Sequence, residues 1–194
     1  MRTNVLAIVA GLSLVTPVAA KSGRPNEFAS IRIENFGRIN PNYYRGAQPK
    51  GQDYSDLAAL GVKTIINLES DDADRNEGAM AKRAGLAYLQ IPMTTHVPPT
   101  SEKIAQFLRT VNDPAAQPVY VHCVGGRHRT GVMTAVYRMT QNGWSADQAF
   151  KEMKQYNFGA DFLHPEFKDF VYRYSADHAA TRSRQAVAAA QSGQ

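Results

Sequence analysis

The stretch of sequence that decides the fold runs from Val119 to Gly131 and reads VYVHCVGGRHRTG. Val119 to Val121 is a short apolar strand, and a helical pattern begins at Gly131, where the stretch ends. The loop between them holds two glycines, three basic residues and the single cysteine of the chain, Cys123. In parallel α/β sheets ligands bind at the loop that follows a strand's carboxyl end, so we expect the functional site here.

Strand and helix patterns alternate on both sides of this stretch. Apolar or alternating runs predict strands over 31–39, 43–46, 62–68, 86–91 and 119–121. Helical spacing, caps and stop signals predict helices over 53–60, 75–84, 131–142 and 165–174, and helices that begin after Thr100 and Ser145. Because strands and helices alternate with short connections, the sequence predicts α/β architecture in a single domain, with a central, mostly parallel sheet flanked by helices.

Composition and charge narrow the function classes. The 194 residues, 43% hydrophobic and 20% charged, fit one globular domain with a buried core. One cysteine excludes an intrachain disulfide framework and any metal or iron–sulfur site built on several cysteines. The net charge of +5 favours an anionic partner, and by itself leaves nucleic acid, acidic lipid headgroups and small phosphorylated molecules open.

The two ends of the chain are predicted to lie outside the domain. Residues 1–20 combine Arg2, a short apolar run and small residues before position 21, which is typical of a secretory signal peptide; an uncleaved anchor is the alternative. We expect a polar lead-in over 21–35, the domain over 36–175, and a flexible tail over 176–194. The expected product is an exported monomer, periplasmic or secreted, without an integral membrane domain after cleavage.

The loop has the composition of an anion site. Unpaired N–H groups at a helix N-terminus attract anions, and Gly125 and Gly126 allow successive amides to point inward. Arg129 can hold two phosphate oxygens with its planar fork, and the same positive environment favours the thiolate of Cys123 as a nucleophile. Thr130 can donate its hydroxyl to that thiolate. The residues expected to bind phosphate are Val124, Gly125, Gly126, Arg127, His128 and Arg129, with His122 supporting the loop.

The segment HCVGGRHRTG resembles the Cys-x5-Arg-Ser/Thr signature of the protein tyrosine phosphatase superfamily. Residues 44–49 (YRGAQP), 66–68 (INL) and 127–129 (RHR) are similar to a bacterial and plant/fungal-like branch of atypical dual-specificity phosphatases. The resemblance covers residues 36–174. It implies that Cys123 attacks phosphorus and forms a phosphocysteine, that Arg129 binds phosphate and the transition state, and that Thr130 assists the thiolate and the later hydrolysis. It also implies chemistry without a metal or other cofactor.

One part of the family pattern is missing. The family takes an aspartate general acid from a loop upstream of the cysteine, but here that loop, IPMTTHVPP over 91–99, has Thr95 in the expected place and no carboxylate. Three alternatives stay open. His96 is the candidate acid, because an imidazole titrates near neutrality. Asp71 or Asp72 can reach in from the acidic loop predicted over 69–74. The third alternative is a substrate with a leaving group, such as a pyrophosphate, that departs without help.

The leading hypothesis is a cysteine-dependent phosphatase of phosphotyrosine-like phosphomonoesters. The alternatives are a phosphatase of inositol polyphosphates or phosphoinositides, a phosphate-binding module without turnover, and a sulfurtransferase. Arg127 and His128 recognise a second phosphate of a polyanionic substrate, face solvent, or pair with the acidic loop; the sequence leaves these alternatives open. The expected partner is therefore a phosphorylated protein or a small polyphosphorylated molecule, and not nucleic acid, for which the sequence shows no aromatic binding pattern.

Overall fold

The computed structural model describes residues 28–70 and 72–192. The predicted signal peptide lies outside the described residues, and so does Asp71. The strands are β1 (Gly37–Asn40), β2 (Tyr43–Gly46), β3 (Thr64–Glu69), β4 (Ala87–Met93) and β5 (Val119–His122). The helices are α1 (Asp53–Ala59), α2 (Glu77–Arg83), α3 (Ser101–Asn112), α4 (His128–Gln141), α5 (Ala146–Gln155) and α6 (Pro165–Ser192), with a short 3-10 turn at Asp161–Leu163 before α6.

The strands form one sheet in the order β1-β2-β5-β3-β4. The pairs β2–β5, β5–β3 and β3–β4 are parallel, and β1 alone is antiparallel, as the outer strand of a hairpin with β2. The predicted α/β fold with a mostly parallel sheet is confirmed. Since four parallel strands point the same way, their carboxyl ends meet at one edge of the sheet, and the loop after β5 lies at its centre.

Helices cover both faces of the sheet. On one face α1 and α2 pack through Tyr54, Leu57 and Ala81, while on the other α3 and α4 pack through residues such as Phe107 and Met133. The second side of α4 is covered by α5 and α6. Because α4 lies between the sheet and this outer pair, it is buried almost all round, which explains why its apolar and small residues show little one-sided pattern.

The lead-in predicted over 21–35 joins the domain earlier than expected. Residues 31–36 lie outside any strand, and β1 begins only at Gly37. Ile33 is nevertheless buried, and the Phe28 ring packs 5.4 Å from that of Phe36. Apolar contacts therefore fix residues 28–35 against the sheet.

The C-terminal segment also differs from the prediction. A flexible tail was predicted over 176–194, but α6 continues to Ser192. Alanine is the best helix former, so the alanine-rich stretch supports a helix without presenting an apolar stripe. Among the described residues, no helix is both long and apolar enough to cross a bilayer.

Candidate active site

The carboxyl edge of the sheet carries a cavity of about 490 Å³. Cys123, which follows β5 directly and is buried, is one of the residues that line this cavity. We call this space the phosphate cavity and residues 123–130 the phosphate loop. The cavity is lined by Glu34, Asp72, Thr95, Cys123, Val124, Gly125, Arg127, His128 and Arg129. All the residues that the sequence predicts to bind phosphate line this cavity except Gly126, which lies on the side of the loop that faces β2.

The Cys123 thiol has a lowered pKa. Burial by itself favours the neutral thiol, but the hydroxyl and backbone N–H of Thr130 and the charges of Arg129 and His122 outweigh it. Cys123 is therefore a thiolate at a lower pH than an ordinary cysteine, which is the ionisation state of a nucleophile.

A buried charge network lies behind the phosphate loop. His122 places its Nε2 2.8 Å from Glu77 Oε1 and its Nδ1 3.5 Å from Glu69 Oε1, with all three side chains fully buried. Burial lowers the pKa of His122, but the two carboxylates reverse this and raise it to about 9. His122 is therefore an imidazolium at neutral pH, and its charge stabilises the neighbouring thiolate. Asn67 holds Glu77 in place by donating to its Oε2 at 2.5 Å.

Arg129 is paired with an internal carboxylate. Its Nη1 and Nη2 donate to Oδ1 and Oδ2 of Asp72 at 2.8 and 2.7 Å, and Nη1 also donates to the carbonyl of Met93 at 3.1 Å. The hydrogen bonds from Arg129 lower the pKa of the Asp72 carboxyl. Asp72 thus occupies the guanidinium fork that a phosphate would take.

Residues from distant segments hold the back of the phosphate loop. Arg45, fully buried at the end of β2, donates from Nη2 to the carbonyl of Gly126 at 2.5 Å. Asn35 donates from Nδ2 to the same carbonyl at 2.9 Å and to the Tyr156 carbonyl at 2.9 Å. Gly126 has φ +61° and lies so close to Gly46 that a Cβ would stand 2.3 Å from its carbonyl. These contacts hold the back of the phosphate loop against β2 and Asn35.

His96 is not among the residues that line the phosphate cavity. Thr95 lines the cavity, but the His96 side chain is 70% exposed, and its Nδ1 lies 3.2 Å from Glu166 Oε1 on α6. The structure therefore places the candidate acid beside α6 and places Asp72, the alternative from the acidic loop, in the cavity wall.

The basic residues of the loop differ in charge. Arg127 and His128 both line the cavity, so neither is a purely outward-facing residue. The Nε2 of His128 lies 3.0 Å from the carbonyl of Phe158. Burial, followed by the nearby His164, lowers the pKa of His128 to about 4. His128 is therefore neutral at pH 7, and Arg127 and Arg129 carry the positive charge of the loop.

A family model described as the tyrosine phosphatase family matches residues 30–191. The chain belongs to this family. Its match includes residues 30–35 of the predicted lead-in and most of α6. The predicted membership of the tyrosine phosphatase superfamily is confirmed.

Individual family members give the same assignment. The chain is 34% identical over 127 residues to the dual specificity protein phosphatase TpbA of Pseudomonas aeruginosa, covering 64% of this chain and 56% of TpbA. It is 30% identical over 133 residues to the inositol diphosphatase SIW14 of Saccharomyces cerevisiae, covering 66% and 47%. The chain thus spans about half the length of these curated relatives.

Solved structures of the same two relatives share the fold. The catalytic domain of SIW14, solved with citrate, superposes with a TM-score of 0.66 and 27% identity, covering 80% of this chain and 94% of that one. TpbA in complex with phosphotyrosine gives a TM-score of 0.58 and 27% identity, covering 73% and 90%.

Several residues of this tyrosine phosphatase family site were missed by the sequence reasoning. The sequence pattern places Glu34 and Asn35 in the predicted lead-in and Glu69 at the start of the acidic loop. It places Glu77 in the predicted helix over 75–84, without a functional role. A signal for Glu69 was present: it directly follows the apolar run over 62–68, so it falls on a buried strand end.

Proposed function

We propose that this chain is a cysteine-dependent phosphatase that hydrolyses phosphotyrosine-like phosphomonoesters through a phosphocysteine intermediate. The observation that carries the proposal is the Cys123 thiol of lowered pKa at the base of a cavity lined by Arg129 and the N-terminal end of α4. A nucleophile, an anion cradle and a guanidinium fork are the components that phosphoryl transfer to a thiolate needs.

The reaction begins with an exchange of ligands on Arg129. The substrate phosphate takes the guanidinium fork from Asp72, and the loop amides bind the remaining oxygens. The Cys123 thiolate then attacks phosphorus, forming the S–P bond as the P–O bond to the leaving group breaks. Water attacks the phosphocysteine in the second step, which releases inorganic phosphate and restores the thiolate.

We assign the proton transfers to Asp72. Arg129 keeps the pKa of this carboxyl low, but a bound phosphate both removes the guanidinium from Asp72 and adds negative charge beside it. Both changes raise the pKa, so substrate binding favours the protonated acid. Asp72 then gives its proton to the leaving oxygen and takes one from the attacking water in the second step. The position of His96 against Glu166 supports this assignment.

Charge in the cavity favours one phosphate group over several. Glu34 and Asp72 place two carboxylates in the wall, and the neutral His128 adds no positive charge. A second or third phosphate would meet these carboxylates with Arg127 as its main counter-charge. The relatives include both a phosphotyrosine-bound phosphatase and an enzyme named inositol diphosphatase, so inositol polyphosphates are the alternative substrates.

A substrate panel tests the proposal. We expect phosphate release from a phosphotyrosine peptide to be at least about tenfold faster, in kcat/KM, than from a phosphoserine peptide, inositol hexakisphosphate or an inositol pyrophosphate. The Cys123→Ser variant is the blank. Faster release from an inositol pyrophosphate would select the alternative. Single-turnover mixing with an aryl phosphate should give a burst that the variant lacks; binding without a burst would identify a phosphate-binding module.

We also propose that the protein is exported, on the pattern of residues 1–20 alone. Cell fractionation of the full-length chain should recover it, shortened at its amino terminus, outside the cytoplasm. Recovery of the unprocessed chain from the cytoplasm would contradict export.

A further inference from the structure

We propose that His96, His164 and Glu166 form a binding site for a divalent transition metal ion of the Zn²⁺ type, beside the phosphate cavity. The three side chains come from two segments 70 residues apart: His96 lies in the loop after β4, whereas His164 and Glu166 flank the start of α6. The inference is independent of the proposed function, since the ion would take no part in the steps at Cys123.

The two distances from Glu166 match the ligand spacing of a tetrahedral ion. One ligand atom from each residue lies within 4.8 Å of the others. Glu166 Oε1 stands 3.2 Å from His96 Nδ1 and 3.5 Å from His164 Nδ1. Zn²⁺ bonds imidazole nitrogen and carboxylate oxygen at about 2.0–2.2 Å, so two ligands on a tetrahedron stand about 3.4 Å apart. The two contacts to Glu166 therefore have the spacing of ligand atoms on one ion.

His164 supplies a buried nitrogen that makes no hydrogen bond. Its side chain is only 12% exposed, and among the described residues Nδ1 has Glu166 Oε1, at 3.5 Å, as an ion-pair neighbour but no hydrogen-bond partner. Its ring is fixed between aromatic neighbours, with centroids 3.8 Å from His128 and 5.9 Å from Phe167. A buried polar atom without a hydrogen bond is costly, and a metal ion would satisfy this one.

A simple ion pair does not account for the whole arrangement. Neutralising Glu166 requires one charged imidazole, but two imidazoles approach it, and their rings stack 5.1 Å apart. Two neutral imidazoles and one carboxylate are a donor set that Zn²⁺ accepts. The exposure of His96 leaves one side of the site open, so water can complete the coordination.

The location gives the ion a structural consequence. It would fasten the loop that carries Thr95 to the N-terminal end of α6, next to His128 in the cavity wall.

The test uses untagged protein with Cys123→Ser, so that the thiol cannot bind the metal. Zn²⁺ binding is measured by calorimetry, and Co²⁺ is added separately because tetrahedral Co²⁺ absorbs in the visible range. We expect one saturable site and tetrahedral Co²⁺ bands. Adding His96→Ala, His164→Ala or Glu166→Gln should weaken binding by at least about tenfold. The matched control is His178→Ala, which removes a histidine of α6 outside the cluster and should leave binding unchanged.

The outcomes decide the proposal in either direction. Circular dichroism checks that each variant is folded, and the exposed His96 gives a variant that tests the site if His164→Ala fails to fold. Absence of a saturable site in Cys123→Ser would overturn the proposal. Equal affinity in the His96→Ala and His178→Ala variants would overturn it as well, since the metal would then bind elsewhere.

Discussion

Glu77 is buried behind the phosphate loop and acts on the nucleophile through His122. Its carboxylate keeps His122 protonated, and the resulting imidazolium lowers the pKa of Cys123. The charge on the thiol thus depends on a residue of α2, outside the signature motif. Glu77 is in this sense a positioning residue.

The first prediction concerns this network. Glu77→Gln removes a charge that supports the imidazolium, so we expect the pKa of the Cys123 thiol to rise. The measurement is the pH dependence of alkylation by iodoacetamide, which reads the thiolate directly. Glu166→Gln, a carboxylate change on α6, should leave the profile in place. An unshifted profile in folded Glu77→Gln would show that the network has a purely structural role.

The second prediction concerns the proton donor. Asp72→Asn should lower kcat for an alkyl phosphate by about 10²–10⁴-fold, but should affect an aryl phosphate with a good leaving group much less. His96→Ala should leave the ratio of the two rates unchanged. If His96→Ala selectively slows the alkyl phosphate and Asp72→Asn does not, the acid assignment moves to His96.

At the scale of elements, the phosphate loop packs closely against β2, where Gly126 faces Gly46. The third prediction is that Gly126→Ala abolishes activity and destabilises the fold, because the new Cβ would overlap the Gly46 carbonyl and the residue would keep a left-handed φ of +61°. Activity and urea unfolding are measured together.

Gly125→Ala is the matched control for that change. A Cβ at Gly125 would meet only the Arg127 side chain, at 3.4 Å or more, and that chain can move. We expect near-normal stability. A Gly126→Ala protein as stable and active as Gly125→Ala would show that the loop does not depend on its fit to β2.

At the scale of the whole molecule, the buried charge network makes stability depend on pH. Folded His122 has a pKa raised to about 9 from 6.5, so its stabilising contribution is complete below pH 6.5 and is lost as pH rises to about 9. The folded Cys123 thiol has a lowered pKa and acts in the opposite direction.

The fourth prediction therefore uses the Cys123→Ser protein, in which only the His122 effect remains. We expect its free energy of unfolding in urea to fall between about pH 6.5 and pH 9, by on the order of 3 kcal/mol at most. The protein with the native cysteine should show a smaller decrease over the same range. A constant value in Cys123→Ser would mean that folded His122 is neutral.

The sequence predicted the parts of the site that are local. The phosphate loop is contiguous, so a strand, two glycines, a cysteine and a helix start were enough to identify it. Asn35, Arg45 and Glu77 reach the loop only through tertiary packing, which local spacing does not encode. An acidic residue usually lies at the solvent-exposed surface. Glu69 and Glu77 are buried instead, because the charge of the His122 imidazolium offsets the cost of burying their carboxylates. The helical extension of α6 was missed because helix propensity, and not an apolar face, supports it.

Because Asp72 is bonded to Arg129, it competes with any anionic ligand for the Arg129 guanidinium. An anion that binds Arg129 must first displace the Asp72 carboxylate. Its apparent binding free energy is therefore its own interaction with Arg129 minus the interaction that Asp72 loses. A monovalent anion such as chloride or acetate gains little from such an exchange, whereas a phosphate dianion gains charge and hydrogen bonds together. We therefore expect the common monovalent anions to bind the cavity weakly. The proposed preference for phosphate would come in part from a residue that the phosphate must displace.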